Sequence, residues 1–106
     1  MAPAGSGGFS AACPLAELPL GATRACAIGG HSVLLAHAAD GVYAVANRCT
    51  HALQPLEGGR IQGHALFCPV HGARFDLRTG KGSGLALADL PTFDVRVADG
   101  TVFVRV

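Results

Sequence analysis

The chain has 106 residues, half of them hydrophobic, and a formal net charge of +1. That length makes one small domain, and the near-balanced charge excludes the basic footprint of a nucleic-acid or membrane-surface binder. No run approaches the roughly 18 apolar residues of a membrane helix. Residues 1–10 hold neither the basic stretch nor the apolar run of a secretory signal, so a cytoplasmic location is expected.

Taken in order, residues 1–10 are rich in Ala, Pro, Gly and Ser and read as a flexible tail, with the folded domain expected over 11–106. Residues 11–15 predict a first strand, 16–19 a turn, and 23–28 a second strand ending at Gly29-Gly30, a dipeptide suited to a hairpin. The return strand, 32–37, carries the apolar run Val33, Leu34, Leu35. Ala39-Asp40-Gly41 is the next turn, because Asp-Gly favours positive φ. Residues 42–46 then form a strand, with Val42, Tyr43 and Val45 assigned to one face, and deliver the chain to Asn47.

Pro55, Gly58 and Gly59 forbid regular structure and make a compact loop. Residues 60–62 and 65–67 predict a small hairpin around Gly63-His64. Another strand is expected at 73–77, a turn at Thr79-Gly80 and an irregular segment over 81–84. Residues 93–97 and 101–106 close the domain as a hairpin across Ala98-Asp99-Gly100. Val95, Val97, Val102, Val104 and Val106 are spaced by two, as half-buried strands require. Many short strands without an amphipathic helix imply an all-β fold, a sandwich or barrel-like antiparallel base. Residues from about 47 to 84 read as an insertion between strands of that base, carrying a small sheet of their own.

Two loops inside that insertion carry the chemistry. Cys49-Thr50-His51 opens the stretch and Cys68-Pro69-Val70-His71 closes it. Each loop offers one thiolate and one imidazole. A 2Fe–2S cluster takes two protein ligands per iron, and a Rieske centre replaces two cysteines by two histidines on one iron. Thiolate suits iron–sulfur chemistry and imidazole suits iron. Cys49 and Cys68 are therefore assigned to one iron, and His51 and His71 to the other, which is expected nearer the surface. The same four residues could form a structural zinc site, but zinc sets usually pair C-x₂₋₄-C with H-x₃₋₅-H rather than mixing one of each per loop.

The remaining reactive residues have plainer readings. Cys13 and Cys26 lie in apolar strand contexts and read as small hydrophobes rather than a disulfide. His31, His37 and His64 read as surface or strand histidines, and Tyr43, Phe67 and Phe75 as core. No nucleophile–base pair, phosphate loop or carboxylate dyad is visible, so the chain is not expected to be an enzyme on its own. Arg48, Arg60, Arg74, Arg78 and Lys81 face only Glu57 and Asp76 in the loop region, which predicts a mildly basic rim suited to an acidic partner.

Cys49-Thr50-His51 together with Cys68-Pro69-Val70-His71-Gly72-Ala73-Arg74-Phe75-Asp76 resembles the Rieske ferredoxins of bacterial ring-hydroxylating oxygenase systems. The resemblance extends to Leu56-Glu57-Gly58, Arg78-Thr79-Gly80 and Leu90-Pro91-Thr92-Phe93. It implies a Rieske fold with a cluster-binding subdomain and one 2Fe–2S cluster on Cys49, His51, Cys68 and His71. It also implies single-electron transfer from an NAD(P)H-dependent flavoprotein reductase to a terminal oxygenase, by a monomer. The small subunit of an assimilatory nitrite reductase shares this fold and is the alternative.

Against the respiratory branch of the family, Gln54 and Val70 stand where that branch has a disulfide, and Ala73 and Phe75 stand where it has hydroxyl donors to the sulfurs. Fewer donors imply a midpoint near the low end of the Rieske range, about −150 mV. Backbone amides of 51–54 and 71–74 are expected to supply the remaining donors. The potential is expected to fall as pH rises through the ligand histidines' pKa. A third loop, Gly80-Lys81-Gly82-Ser83-Gly84, is expected to be open and irregular.

Overall fold

A computed structural model describes residues 8–48, 55–69, 73–84 and 88–106. Among these, ten strands form two antiparallel sheets, as an all-β reading expects. The strands are β1 (Ser10–Pro14), β2 (Thr23–Ile28), β3 (His31–Ala38), β4 (Gly41–Ala46), β5 (Arg60–Gln62), β6 (Ala65–Phe67), β7 (Ala73–Asp76), β8 (Gly82–Gly84), β9 (Thr92–Ala98) and β10 (Thr101–Arg105). A 3₁₀ turn at Leu15–Glu17 follows β1. The base is a six-stranded sheet in the order β1-β10-β9-β4-β3-β2, and the second sheet is β5-β6-β7-β8.

Hydrophobic period explains the base. Cys13, Leu18, Ile28, Val33, Leu35, Ala44, Val102 and Val104 form one buried cluster. That cluster takes residues from both edge strands, β1 and β2, so the base curls over its own apolar face. The opposite face of β3 and β4 packs on the small sheet. Leu34, Ala36, Ala38 and Val45 join Leu66, Ala73, Phe75 and Leu77 in a second cluster. β3 is thus buried on both faces, which is why Val33, Leu34, Leu35 and Ala36 are all fully buried in succession.

The faces of β4 differ from the sequence reading. Successive strand residues point to opposite sides, so Val42 and Ala44 go to the base cluster, while Tyr43 and Val45 face the small sheet. The turns agree better. Gly29 and Gly30 both have positive φ between β2 and β3, and Asp99 and Gly100 do the same between β9 and β10. A two-residue hairpin turn whose twist matches its strands needs this conformation.

Two further readings change. The 81–84 segment is not irregular: Gly82–Gly84 pairs with β7 as β8, placing Ser83 opposite Arg74. Order also begins earlier than residue 11. β1 starts at Ser10, and Phe9 is buried beneath the guanidinium groups of Arg96 and Arg105, 4.8 and 5.1 Å from the ring centre. Residues 1–7 lie outside the described residues.

Candidate metal centre

Cys68 is the one sequence-predicted ligand among the described residues; Cys49, His51 and His71 lie outside them. It follows β6 directly and is 5% exposed, in the cluster that holds Leu56, Leu66, Ala73 and Phe75. Its backbone N–H donates to the Ala73 carbonyl at 2.9 Å. The β6–β7 register, with Phe67 opposite Arg74 and Leu66 opposite Phe75, continues from that bond. The β6–β7 hairpin therefore closes the base of the segment that leads to His71 and holds the Cys68 backbone in place.

The first loop is closed by a side chain. Asn47 Oδ1 accepts the Leu56 N–H at 2.8 Å and the Glu57 N–H at 3.2 Å. Asn47 is itself anchored, its N–H donating to the Ser32 carbonyl at 3.0 Å. The far end of the loop is tied to β2: Gly58 N–H donates to Thr23 Oγ1 at 2.9 Å, and Ala25 N–H to Glu57 Oε2 at 3.1 Å. Asn47 was not singled out from the sequence. An Asn at a strand end is a local backbone-binding residue by type, but here its partners come nine and ten residues later.

The two stems meet. Gly59 is buried, and a Cβ there would collide with the Phe67 carbonyl and meet the Leu56 carbonyl at 3.0 Å. Only glycine lets the end of the first loop lie this close to the residue preceding Cys68. The donor chemistry fits a Rieske cluster: a buried Cys68 thiol on a braced hairpin, with the two ends of the stretch that carries Cys49 and His51 in the sequence tied together beside it. Among the described residues no three or more His, Cys, Asp or Glu side chains gather as a metal site. Ala73 and Phe75 are fully buried, and neither side chain carries a hydroxyl. Of the amides expected to donate to the cluster, 51–54, 71 and 72 lie outside the described residues.

A polar brace joins the two sheets away from the loops. His64, in the β5–β6 turn, places Nε2 2.7 Å from Asp40 Oδ2. Tyr43 Oη donates to both Asp40 oxygens at 3.0 Å. The His64 hydrogen bond, helped by Tyr43, holds the Asp40 carboxyl below its ordinary range, and Asp76 is lowered likewise by Arg78. Burial, then Asp40, raises the Tyr43 phenol. His37 is bonded too, with Nδ1 2.8 Å from the Leu18 carbonyl. Cys13 and Cys26 are free thiols, both raised chiefly by burial.

Phe67 departs from its core assignment. It is half-buried on the outer face of the small sheet, under the guanidinium groups of Arg60 and Arg74, 5.1 and 5.9 Å from its ring centre. The expected basic rim is uneven. Arg78 is engaged by Asp76 at 3.0 Å, whereas Arg60, Arg74 and Lys81 form no ion pair among the described residues.

Comparison with known proteins places this architecture. The ferredoxin component of the naphthalene 1,2-dioxygenase/salicylate 5-hydroxylase systems of a Ralstonia species is 31% identical over 98 residues, covering 92% of this chain and 93% of the relative. The ferredoxin of carbazole 1,9a-dioxygenase from Nocardioides aromaticivorans IC177 superposes with a TM-score of 0.85 at 30% identity, covering 92% of this chain and 96% of that one. A complex of reduced oxygenase and oxidised ferredoxin in carbazole 1,9a-dioxygenase matches at 26% identity and a TM-score of 0.83, over 94% of each chain. Among the described residues no helix is long and apolar enough to cross a membrane. The two braced loop stems sit on a fold that matches, over residues 8–105, the Rieske-like [2Fe-2S] domain, and the chain belongs to that family.

Proposed function

We propose that this chain is a Rieske ferredoxin, the electron-carrying component of an aromatic-ring-hydroxylating dioxygenase system. It takes single electrons from an NAD(P)H-dependent flavoprotein reductase and gives them to a terminal oxygenase. It works in the cytoplasm as a monomer and has no catalytic site of its own. Cys49 and Cys68 hold one iron, and His51 and His71 hold the other. The cluster, when bound, supplies a reversible one-electron couple.

The protein's part is positioning. The Cys68–Ala73 hydrogen bond and the Asn47 bridge hold the two loop stems, and Gly59 lets them touch. The buried cluster of Leu56, Leu66 and Phe75 excludes water from the cysteine side. This convergence of two loop stems, each bearing one Cys and one His in the sequence, is the observation that carries the reading. Identities of 31% and 30% to ferredoxin components support the oxygenase system over a nitrite reductase, whose small subunits match in fold at 23% and 24% identity.

The test has two stages. Protein purified under anaerobic conditions is expected to contain two irons and two acid-labile sulfides per chain, and its reduced-state EPR spectrum is expected to change when His71 is replaced by a non-ligating residue. Reconstitution with a flavoprotein reductase and a ring-hydroxylating oxygenase is then expected to give NADH-dependent product only when this chain is present. Zinc in place of iron, or electron delivery to a nitrite reductase alone, would overturn it.

A further inference from the structure

The small sheet alternates in lateral rows. Ile61, Leu66 and Phe75 are register partners pointing inward, with Leu66 and Phe75 fully buried. The neighbouring row is Arg60, Phe67, Arg74 and Ser83, four residues directly opposite one another across β5, β6, β7 and β8. Directly paired residues share a face, so this row points outward. It is also the last outward row before the second ligand loop, since Phe67 precedes Cys68 and Arg74 follows Ala73.

The row has the composition of a binding hot spot, an aromatic ring flanked by arginines. Both guanidinium groups are exposed yet held against the Phe67 ring, and Arg74 Nε also donates to Ser83 Oγ at 3.1 Å. Holding them in place lowers the ordering cost of docking. Asp76 is paired with Arg78 and Glu57 accepts the Ala25 amide on β2, while Asp89 accepts the Gly82 amide beside Ser83 and forms no ion pair with Arg60 or Arg74 among the described residues. Beside the row lies a hollow of ≈ 390 Å³ whose lining includes Gln62, Arg74, Lys81 and Ser83. Residues 60–84 carry Arg60, Arg74, Arg78 and Lys81 against Asp76, a net of +3 in a chain whose total is +1, so the rest of the molecule is net negative.

We infer that the Arg60–Phe67–Arg74 row is the docking surface for a carboxylate-rich patch on the terminal oxygenase. Phe67 supplies the apolar contact and the two arginines fix orientation by pairing with carboxylates. The molecule's charge asymmetry turns this end toward an acidic partner during encounter. The inference rests on the ferredoxin reading and names the partner surface that reading requires.

The experiment follows the second-order rate of electron transfer from the reduced protein to the oxygenase as a function of ionic strength. Wild type, Arg60→Gln/Arg74→Gln, Arg60→Lys and Arg96→Gln are compared. Arg96 is a charge of the same kind on the base sheet, against Phe9. The double variant is expected to be about tenfold slower at low salt and to converge on wild type at high salt. Arg60→Lys is expected to retain most of the salt dependence, and Arg96→Gln all of it. Unchanged midpoint and EPR spectrum show that the cluster is intact; should the double variant fail to load, Arg60→Gln alone carries the comparison. A wild-type rate independent of salt, an Arg96→Gln loss equal to that of the double variant, or an effect confined to the reductase step would overturn the assignment. If wild type passes no electrons to any oxygenase, the ferredoxin reading falls as well; if wild type transfers and the variants match it, only the docking surface falls.

Discussion

The two sheets are held together by different physics. The base is built on side-chain burial, with long strands whose apolar residues fill one cluster and, through β3 and β4, a second. The small sheet has strands of three or four residues. Its inner face packs into that second cluster through Leu66, Ala73, Phe75 and Leu77, and polar ties add direction to that packing: Asn47 to Leu56 and Glu57, Thr23 to Gly58, Asp40 to His64. Burial is non-directional and scales with area, so it makes a stable platform. Hydrogen bonds are weaker in net terms but directional, so they set where two loops sit. Damage to the base is expected to cost stability, and damage to the ties to cost geometry.

The largest effect tests the first half of that contrast. Leu35 is fully buried in the base cluster, remote from the ligand loops in its packing. Leu35→Ala is expected to destabilise the fold by about 2–5 kcal/mol through lost burial and the cavity left behind. Urea titration reads this as a lower midpoint at similar slope. The EPR spectrum of the still-folded protein is expected to match wild type. A changed spectrum would mean that the base does more than carry the loops.

Asn47→Ala tests the second half. It removes the acceptor shared by two backbone N–H groups, a cost of about 1–3 kcal/mol confined to the first loop stem. Faster cluster loss and an altered EPR spectrum are expected, while hydrogen exchange in β2 and β3 stays near wild type. Asn47→Asp keeps an oxygen in place and is expected to recover cluster retention, with a lower midpoint from the added negative charge. If Asn47→Ala loses its cluster no faster than wild type and leaves the spectrum unchanged, the tie is dispensable.

The same contrast explains what could be read from the chain. The base strands announce themselves through period and β-branching, as with Val102 and Val104, and their turns through Gly29-Gly30 and Asp99-Gly100. The candidate ligands announce themselves through chemistry, although Cys68 alone falls among the described residues. β8 was illegible because Gly-Ser-Gly has no apolar side-chain period, and its pairing rests on the backbone ladder with one side-chain bond, Arg74 Nε to Ser83 Oγ. Phe67 was misplaced because an aromatic in a three-residue strand can face either way until its register partners, Arg60 and Arg74, are known. The Asn47 tie was illegible because it depends on where a loop returns, which spacing within a strand does not encode.

The smallest effect concerns the Asp40–His64 tie. The folded-state pKa of Asp40 lies below the ordinary 3.8, chiefly through the His64 hydrogen bond. A carboxyl depressed in the folded state contributes stability that is fully present above its unfolded pKa and is lost as pH falls through the folded value. The exposed pair is screened by salt, so the change is modest and local. As pH falls below about 4, the protection of the Leu77 amide (its exchange relative to the intrinsic rate at each pH), whose N–H donates to the His64 carbonyl at 2.7 Å, is expected to drop before protection in β3 does. Asp76 titrates in the same window through Arg78, so the variant isolates the contribution of Asp40. Asp40→Asn is expected to exchange faster at Leu77 at neutral pH and to show a flatter acid response. Equal acid responses in the two proteins would remove Asp40 from the ties that hold the small sheet to its base.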